Sequence, residues 1–374
     1  MADDMRLDVV SSSKEQSLHP LTDYFKMLRS RIEPEDDRLV TAQDMPQRVR
    51  DHLQEHTTFL TVSPYTRLVG SYGRYTAIKR IKDVDILVFV PDDSPDNGIP
   101  ALLKGLEDAL RELPDELDDC GEVTLRKQRR SVNVVLEQHE LSLDIVPVRT
   151  TGDGINGRLE VPDREWERWV GTQPLGYGPF LSTLNAEHDG KVVPLVKLFK
   201  HWRDQNFATR RPKSYWLESL VVQHIRRGWV SSAGKGYALL IAETLRSIHD
   251  RFTPVLEEDG MTPWIPDAML TNNVAWNWER THFETFMRRL DEAVRWAEEA
   301  VETEEKELAV SLWRRIFGDA WFPSTEDVEA EYRQLGRLSG AGKLLVAPTG
   351  LVAASLPAFP RSIPAPATRF HGNR

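Results

Sequence analysis

The sequence predicts an α+β fold: a mixed sheet with its own helices, packed on a C-terminal helical domain. Two observations predict it. Short apolar runs of strand length follow one another between residues 66 and 150 with one helical pattern among them, which suits a mixed sheet better than repeated βαβ units. After about Asp163 the apolar residues fall at helical spacing, and every tryptophan lies between Trp166 and Trp321. At 374 residues the chain exceeds one typical core, so two domains are expected.

Taken in order, residues up to about Leu18 read as a flexible arm. "LTDYFKMLRSRI" and "MPQRVRDHLQEH" carry helical apolar spacing, the second with Asp44 as N-cap and Pro46 in the first turn. Strands are expected at "TRLVG", "VDILVFV", "EVTLRK", "SVNVVLE" and "LSLDIVPV", with a helix at "PALLKGLEDALREL". In "KVVPLVKLFKHWRDQN", Val192, Leu195, Val196, Phe199 and Trp202 form one stripe, leaving Lys197, Lys200 and Asp204 on the other side. "THFETFMRRLDEAVRWAEEAV" repeats the pattern from Phe283 to Val301, and "SLWRRIFG" closes on Gly318 as a C-cap. From about Pro323 the chain turns mixed and then Pro/Ala-rich, a composition that favours extended chain.

Charge and cysteine content narrow the function. A net charge of −10 disfavours general nucleic-acid affinity, although a local basic cleft remains compatible with it. The single cysteine, Cys120, excludes an intramolecular disulfide framework and any multi-cysteine zinc site. The N-terminus has neither the cationic start nor the apolar run of a signal peptide, and no apolar stretch is long enough to span a bilayer. A cytoplasmic protein with no membrane contact is expected.

The chemistry concentrates in "GSYGRYTAIKRIKDVDI", residues 70–86. Side chains alternate along a strand, so Asp83 and Asp85 share a face and repel each other. A divalent cation relieves that repulsion, and magnesium binds through one or two carboxylates plus substrate phosphates. Asp144, between Leu143 and Ile145 in a later strand, is the third ligand; three carboxylates can bridge two ions, and two-metal sites serve in-line phosphoryl displacement. Gly70 and Ser71 supply backbone N–H groups and a hydroxyl in a turn where a phosphate can approach closely.

This block, with the later "LDIV", resembles the Gly-Ser, paired-Asp and third-Asp signature of the polymerase-beta-like nucleotidyltransferases. More narrowly it is similar to the cyclic GMP-AMP synthase and DncV-like nucleotidyltransferases of bacterial antiphage signalling, relatives of the oligoadenylate synthases. "LVKLFKHWRDQN" and "KSYWLESLVVQHI" resemble the Lys-His-Trp and Tyr-x-Leu-Glu helices of that superfamily, and the similarity spans most of residues 21–323. The chain is therefore expected to divide into a flexible arm (1–20), a catalytic domain (21–175), a helical domain completing the nucleotide cleft (176–323) and a Pro/Ala-rich tail (324–374) that the resemblance does not explain. The activity implied is Mg-dependent joining of nucleoside triphosphates into a cyclic di- or trinucleotide messenger with release of pyrophosphate.

Carried over by residue, the resemblance implies that Asp83, Asp85 and Asp144 hold two Mg2+ ions, with Mn2+ as a substitute, and that Gly70 and Ser71 grip the donor triphosphate. It further implies that Lys200 neutralises the β- and γ-phosphates, Ser214 adds a hydrogen bond and Tyr215 stacks on a base. On residue type alone Lys200 also reads as a solvated helix-face lysine, Ser214 as an N-cap and Tyr215 as core packing. Arg74, Lys79, Arg80 and Lys82 read as a solvated basic loop. His52 and His56 stand one helical turn apart with no third ligand and read as surface residues. "SGAGKLL" lacks the spacing of a phosphate-binding loop. An effector or regulatory protein is the partner implied, with the tail ending "RFHGNR" as its contact or as plain disorder. Two rival readings are a nucleotidyltransferase that modifies RNA or tRNA, and an inactive nucleotide-binding module of the same fold.

Overall fold

The structure, a computed structural model, describes residues 17–93, 98–113, 122–152, 154–209, 212–270 and 272–340, with three residue pairs beyond. Two helices open it, α1 (Thr22–Ile32) and α2 (Asp36–Glu55). Strand β1 (Thr66–Val69) runs into a single helical turn, α3 (Gly70–Gly73), and then β2 (Asp83–Phe89). Next come α4 (Ile99–Arg111), β3 (Val123–Lys127), β4 (Val132–Leu136) and β5 (Leu141–Thr150). The sheet order is β1-β2-β5-β4-β3; β2 and β5 are parallel and the other pairs antiparallel, so the mixed sheet expected from the strand order is present.

One face of this sheet buries Val84, Ile86, Val88, Val134, Leu143 and Ile145 against Val49 and Leu53 of α2 and Leu103, Leu106 and Leu110 of α4. By strand alternation Asp83, Asp85 and Asp144 must project from the opposite face. Helix α2 begins eight residues before Asp44, so Asp44 is no cap: it is exposed, and Pro46 lies buried inside the helix. His52 of α2 and His56, which caps its end, are not surface residues either. His52 Nε2 meets the Ala109 carbonyl at 2.8 Å, and His56 Nδ1 accepts from the Phe59 N–H.

A hairpin absent from the sequence expectation follows, β6 (Leu159–Asp163) and β7 (Arg168–Thr172), with β6 pairing to the end of β5. Its turn is fastened by buried Asp163, which accepts from Arg129 and Arg130 and from the backbone N–H of Glu165 and Trp166.

The remaining chain is helical: α5 (Pro174–Glu187), α6 (Val192–Asn206), α7 (Ser214–Arg226), α8 (Tyr237–Glu257), α9 (Arg280–Glu302), α10 (Lys306–Phe317) and α11 (Thr325–Gly340). The α9 stripe from Phe283 to Val301 is buried, and Gly318 caps α10 at φ 91°. Helix α6 departs from the single-stripe expectation. It runs through the middle of the helical core, so Lys197 and Lys200 are buried along with the apolar stripe. Helix α1, grouped by sequence with the catalytic domain, contributes Leu21, Phe25, Leu28 and Ile32 to this helical core. Residues expected to begin the tail form α11, whose Val328 is buried in the same core. Beyond it three two-residue strands, β8 (Leu345–Val346), β9 (Val352–Ala353) and β10 (Ile363–Pro364), pair antiparallel. The rest of the tail, most of the N-terminal arm and Cys120 lie outside the described residues. The end of the arm is held, with Leu18 N–H on the Val301 carbonyl at 3.2 Å.

Candidate active site

The register of two parallel strands assembles the acidic cluster. Asp85 of β2 stands directly beside Asp144 of β5, and Asp83 beside Ser142. Asn133 of β4 faces Asp144 from the other side and donates to Oδ1 at 2.7 Å, while Ser142 Oγ donates to Asp83 Oδ1 at 2.5 Å. Burial pushes Asp85 up to about 6, helped by the charges of Asp144 and Asp83 and opposed by Arg74. Asp144 is also raised, mainly by burial, with Asn133 restraining the shift. These are the directions expected of crowded carboxylates that share too little positive charge.

Gly70 sits where β1 ends, opposite Asp85 through the Val69↔Asp85 pairing. Its φ is 68°, and a Cβ there would fall 1.7 Å from Asp85 Oδ2. Only glycine allows both the turn and that carboxylate position. Ser71 follows in the helical turn, its carbonyl accepting from Thr76 and Ala77.

The cluster opens on a cleft of about 1160 Å3 between sheet and helices, and this cleft gathers every residue singled out by sequence: Gly70, Ser71, Asp83, Asp85, Asp144, Lys200, Ser214 and Tyr215 all line it. The surroundings of Lys200 and Ser214 differ from the readings their residue types gave, whereas Tyr215 packs against the helical core as one of its readings had it. Lys200 is 3% exposed rather than solvated. Its Nζ donates to Glu218 Oε2 at 2.6 Å and to the Thr76 carbonyl and Oγ1 at 3.1 and 2.9 Å, which engages all three of its N–H bonds. No N–H is left over for a phosphate in this arrangement. Ser214 is the first residue of α7 rather than its cap, and its Oγ accepts from Arg203. Tyr215 packs edge-on against Tyr177 at 5.9 Å and donates its hydroxyl to Asp267 Oδ2 at 2.7 Å.

The basic loop also divides. Arg80 and Lys82 are exposed along the cleft, but Arg74 turns inward and donates to Glu218 Oε1 at 2.8 Å, its guanidinium 4.9 Å from the Tyr177 ring centre. Glu218 is fully buried and held down to about 2; burial opposes this, but Lys200 and Arg74 outweigh it. One carboxylate facing two cations leaves local positive charge beside the acidic cluster. Glu218 was missed as a site residue although it stands alone and acidic in "YWLESLVV". Asn133, likewise missed, is the polar break in "SVNVVLE".

The donors facing the cleft from the acidic cluster are carboxylate oxygens, the chemistry of Mg2+ or Mn2+ rather than of zinc. Among the described residues no three acidic, histidine or cysteine side chains gather round one point. Ser142 and Asn133 anchor Asp83 and Asp144 separately. The donor set and its unbalanced charge fit divalent ions shared between carboxylates and a bound phosphate.

Paired strand carboxylates, a third on the parallel neighbour and a Gly-Ser turn beneath the helices are the arrangement expected of a nucleotidyltransferase. Residues 20–185 match the Second Messenger Oligonucleotide or Dinucleotide Synthetase domain. The chain is 30% identical over 348 residues to a cyclic AMP-AMP-AMP synthase of Acinetobacter sp., covering 90% of this chain and 94% of that one. It is 29% identical over 163 residues to a cyclic AMP-AMP-GMP synthase of Enterobacter hormaechei, covering 43% and 41%. The fold is shared with the Bradyrhizobium diazoefficiens CD-NTase CdnG solved with GTP, at TM-score 0.62 and 18% identity over 84% of this chain and 99% of that one. The chain belongs to the bacterial cyclic GMP-AMP synthase/DncV-like nucleotidyltransferases, the family of cyclic oligonucleotide synthases. No described helix is long and apolar enough to cross a membrane.

Proposed function

We propose that this chain joins nucleoside triphosphates, adenine nucleotides among them, into a cyclic trinucleotide messenger for antiphage signalling, with Asp83, Asp85 and Asp144 as its metal-binding and catalytic carboxylates. The observation that carries this reading is the side-by-side register of Asp85 and Asp144, opposite the Gly70 turn. The product class is supported by the similarity to the Acinetobacter synthase along nearly its whole length.

Bound Mg2+ or Mn2+ would supply charge neutralisation and orientation at the reacting phosphate. The chain's own residues do the rest. Gly70 and Ser71 present backbone N–H groups and a hydroxyl to the donor triphosphate, and Arg80 and Lys82 at the cleft wall add positive charge toward it. Asp144, steadied by Asn133, stands nearest the attacking sugar hydroxyl. That hydroxyl gives up its proton to Asp144 as it attacks the α-phosphorus in line, the bond to the bridging oxygen breaks and pyrophosphate leaves. Rigid strands supply positioning, the larger part of catalysis in such reactions. In this reading residues 21–175 carry catalysis, 176–323 complete the cleft, and Lys200 acts mainly by bracing the cleft floor. Regulation by a bound protein is part of the proposal, since E. coli MS115-1 CdnC, which shares the fold, is solved as a CdnC:HORMA-deltaN complex.

The test is incubation of the full chain with the four ribonucleoside triphosphates and Mg2+ or Mn2+, with and without candidate protein activators. Mass spectrometry then identifies a phosphatase-resistant cyclic product. Asp85→Asn should make none. Label entering RNA instead, or product formation undiminished in Asp85→Asn, would overturn the reading.

A further inference from the structure

We infer that Asp267, outside the cleft, is a positioning residue for nucleotide binding, acting through the ring of Tyr215; the inference rests on the proposed function, which puts a nucleotide in the cleft that Tyr215 lines. Tyr215 is the second residue of α7 and lines the cleft, while Asp267 belongs to the connection between α8 and α9 and does not. The hydroxyl of Tyr215 donates to Asp267 Oδ2 at 2.7 Å across 52 residues of chain. A tyrosine near a helix start has rotamer freedom about χ1, and a single strong bond at the tip of its ring removes most of it.

Asp267 is itself immobilised. Its Oδ1 accepts from the N–H of Met269 and Leu270 at 2.8 and 3.0 Å, and its own N–H donates to the Asn272 carbonyl at 2.8 Å. Asn273 braces the same turn by accepting from Ile265 and Ala275, both at 3.0 Å. One carboxylate oxygen therefore holds the turn and the other holds the tyrosine. Tyr215 in turn flanks Arg74, whose guanidinium lies 5.6 Å from its ring centre and is bonded to Glu218. Through this chain of contacts the α8–α9 connection fixes an aromatic surface at the cleft wall.

In Asp267→Asn the one carbonyl oxygen stays with Met269 and Leu270, so the amide nitrogen faces the phenol and the charge-assisted bond is lost while the turn persists. Tyr215→Phe removes the same bond from the other side. The experiment measures binding of the α,β-methylene analogues of ATP and GTP with Mg2+ by calorimetry, which needs no turnover. Each single variant should bind the preferred analogue about 3- to 10-fold more weakly. The double variant should bind no more weakly than Tyr215→Phe alone, a non-additivity that a purely structural role would not produce. Unchanged affinity in Asp267→Asn, or a further loss of the same size in the double variant, overturns the inference while leaving the function intact. A wild-type protein that binds neither analogue overturns both. If melting shows Asp267→Asn unfolded, Tyr215→Phe, which leaves the turn intact, decides: undiminished binding overturns the inference.

Discussion

Asp85 Oδ2 occupies the space that a side chain at Gly70 would need, 1.7 Å from where its Cβ would lie. Gly70→Ala combines a left-handed backbone strain of roughly 1–2 kcal/mol with displacement of Asp85, the carboxylate proposed to be catalytic. Product formation should fall by about 100-fold or more, because an ångström of misplacement is costly in a positioned site. Pyrophosphate release by a folded Gly70→Ala protein checks this; near-normal turnover would contradict it.

Glu218 holds buried Lys200 and half-buried Arg74, so removing its charge leaves both uncompensated. Glu218→Gln should destabilise the protein by about 3–5 kcal/mol in chemical denaturation. Lys200→Met should cost less, since Glu218 keeps Arg74 at 2.8 Å. A Lys200→Met variant of unchanged stability but strongly raised KM for the donor nucleotide would instead assign Lys200 to the phosphates.

Buried His224 is held down to about 4, first by desolvation and then by Arg251, against its bond to the Leu220 carbonyl. His201 is lowered in the same direction by burial. His224 stays neutral when folded, so between pH of about 6.5 and about 4 the unfolded chain takes up a proton there that the native state refuses, and His201 acts in the same direction. Stability is therefore complete above pH of about 6.5 and lost on acidification, by about 3 kcal/mol from His224 alone. Denaturation midpoints at pH 7 and pH 5 should separate in the wild type and converge partly in His224→Gln.

Phe25 is fully buried where α1 meets α10, its ring 5.1 Å from Trp313 and 5.2 Å from Phe322. Phe25→Ala should cost about 3–5 kcal/mol, read as a lowered melting temperature. A change confined to the sheet and its helices α2 and α4, with α8–α10 unaffected in hydrogen exchange, would argue against the observed docking of α1.

The acidic cluster was legible because alternation on one strand and matching flanks on another are local signals: Asp83 with Asp85, and Asp144 between Leu143 and Ile145. Gly70 was legible for the same reason. What failed was partnership over distance. Lys200 looks solvated beside its helical neighbours because periodicity on α6 cannot show that α7 and the Thr76 loop close over its other side. Asp44-Met45-Pro46 imitates a helix start, although Pro46 sits within α2 and the preceding turns carry few apolar residues to announce it. The turn of the β6–β7 hairpin, Arg164 to Glu167, is built from Arg, Glu and Trp, and it depends on Asp163 accepting from arginines more than thirty residues earlier.

Helix α1 has consequences for how the enzyme comes into being. Arg31 reaches the Trp321 carbonyl, 290 positions downstream, so the first helix leaves the ribosome long before the aromatic bed that receives it exists. The sheet has all its strands by Thr172 and can collect itself during synthesis, whereas the helical lobe must wait for α10. A chain ended before α10 thus holds its acidic residues while the helices on the other side of the cleft still lack part of the core that seats them.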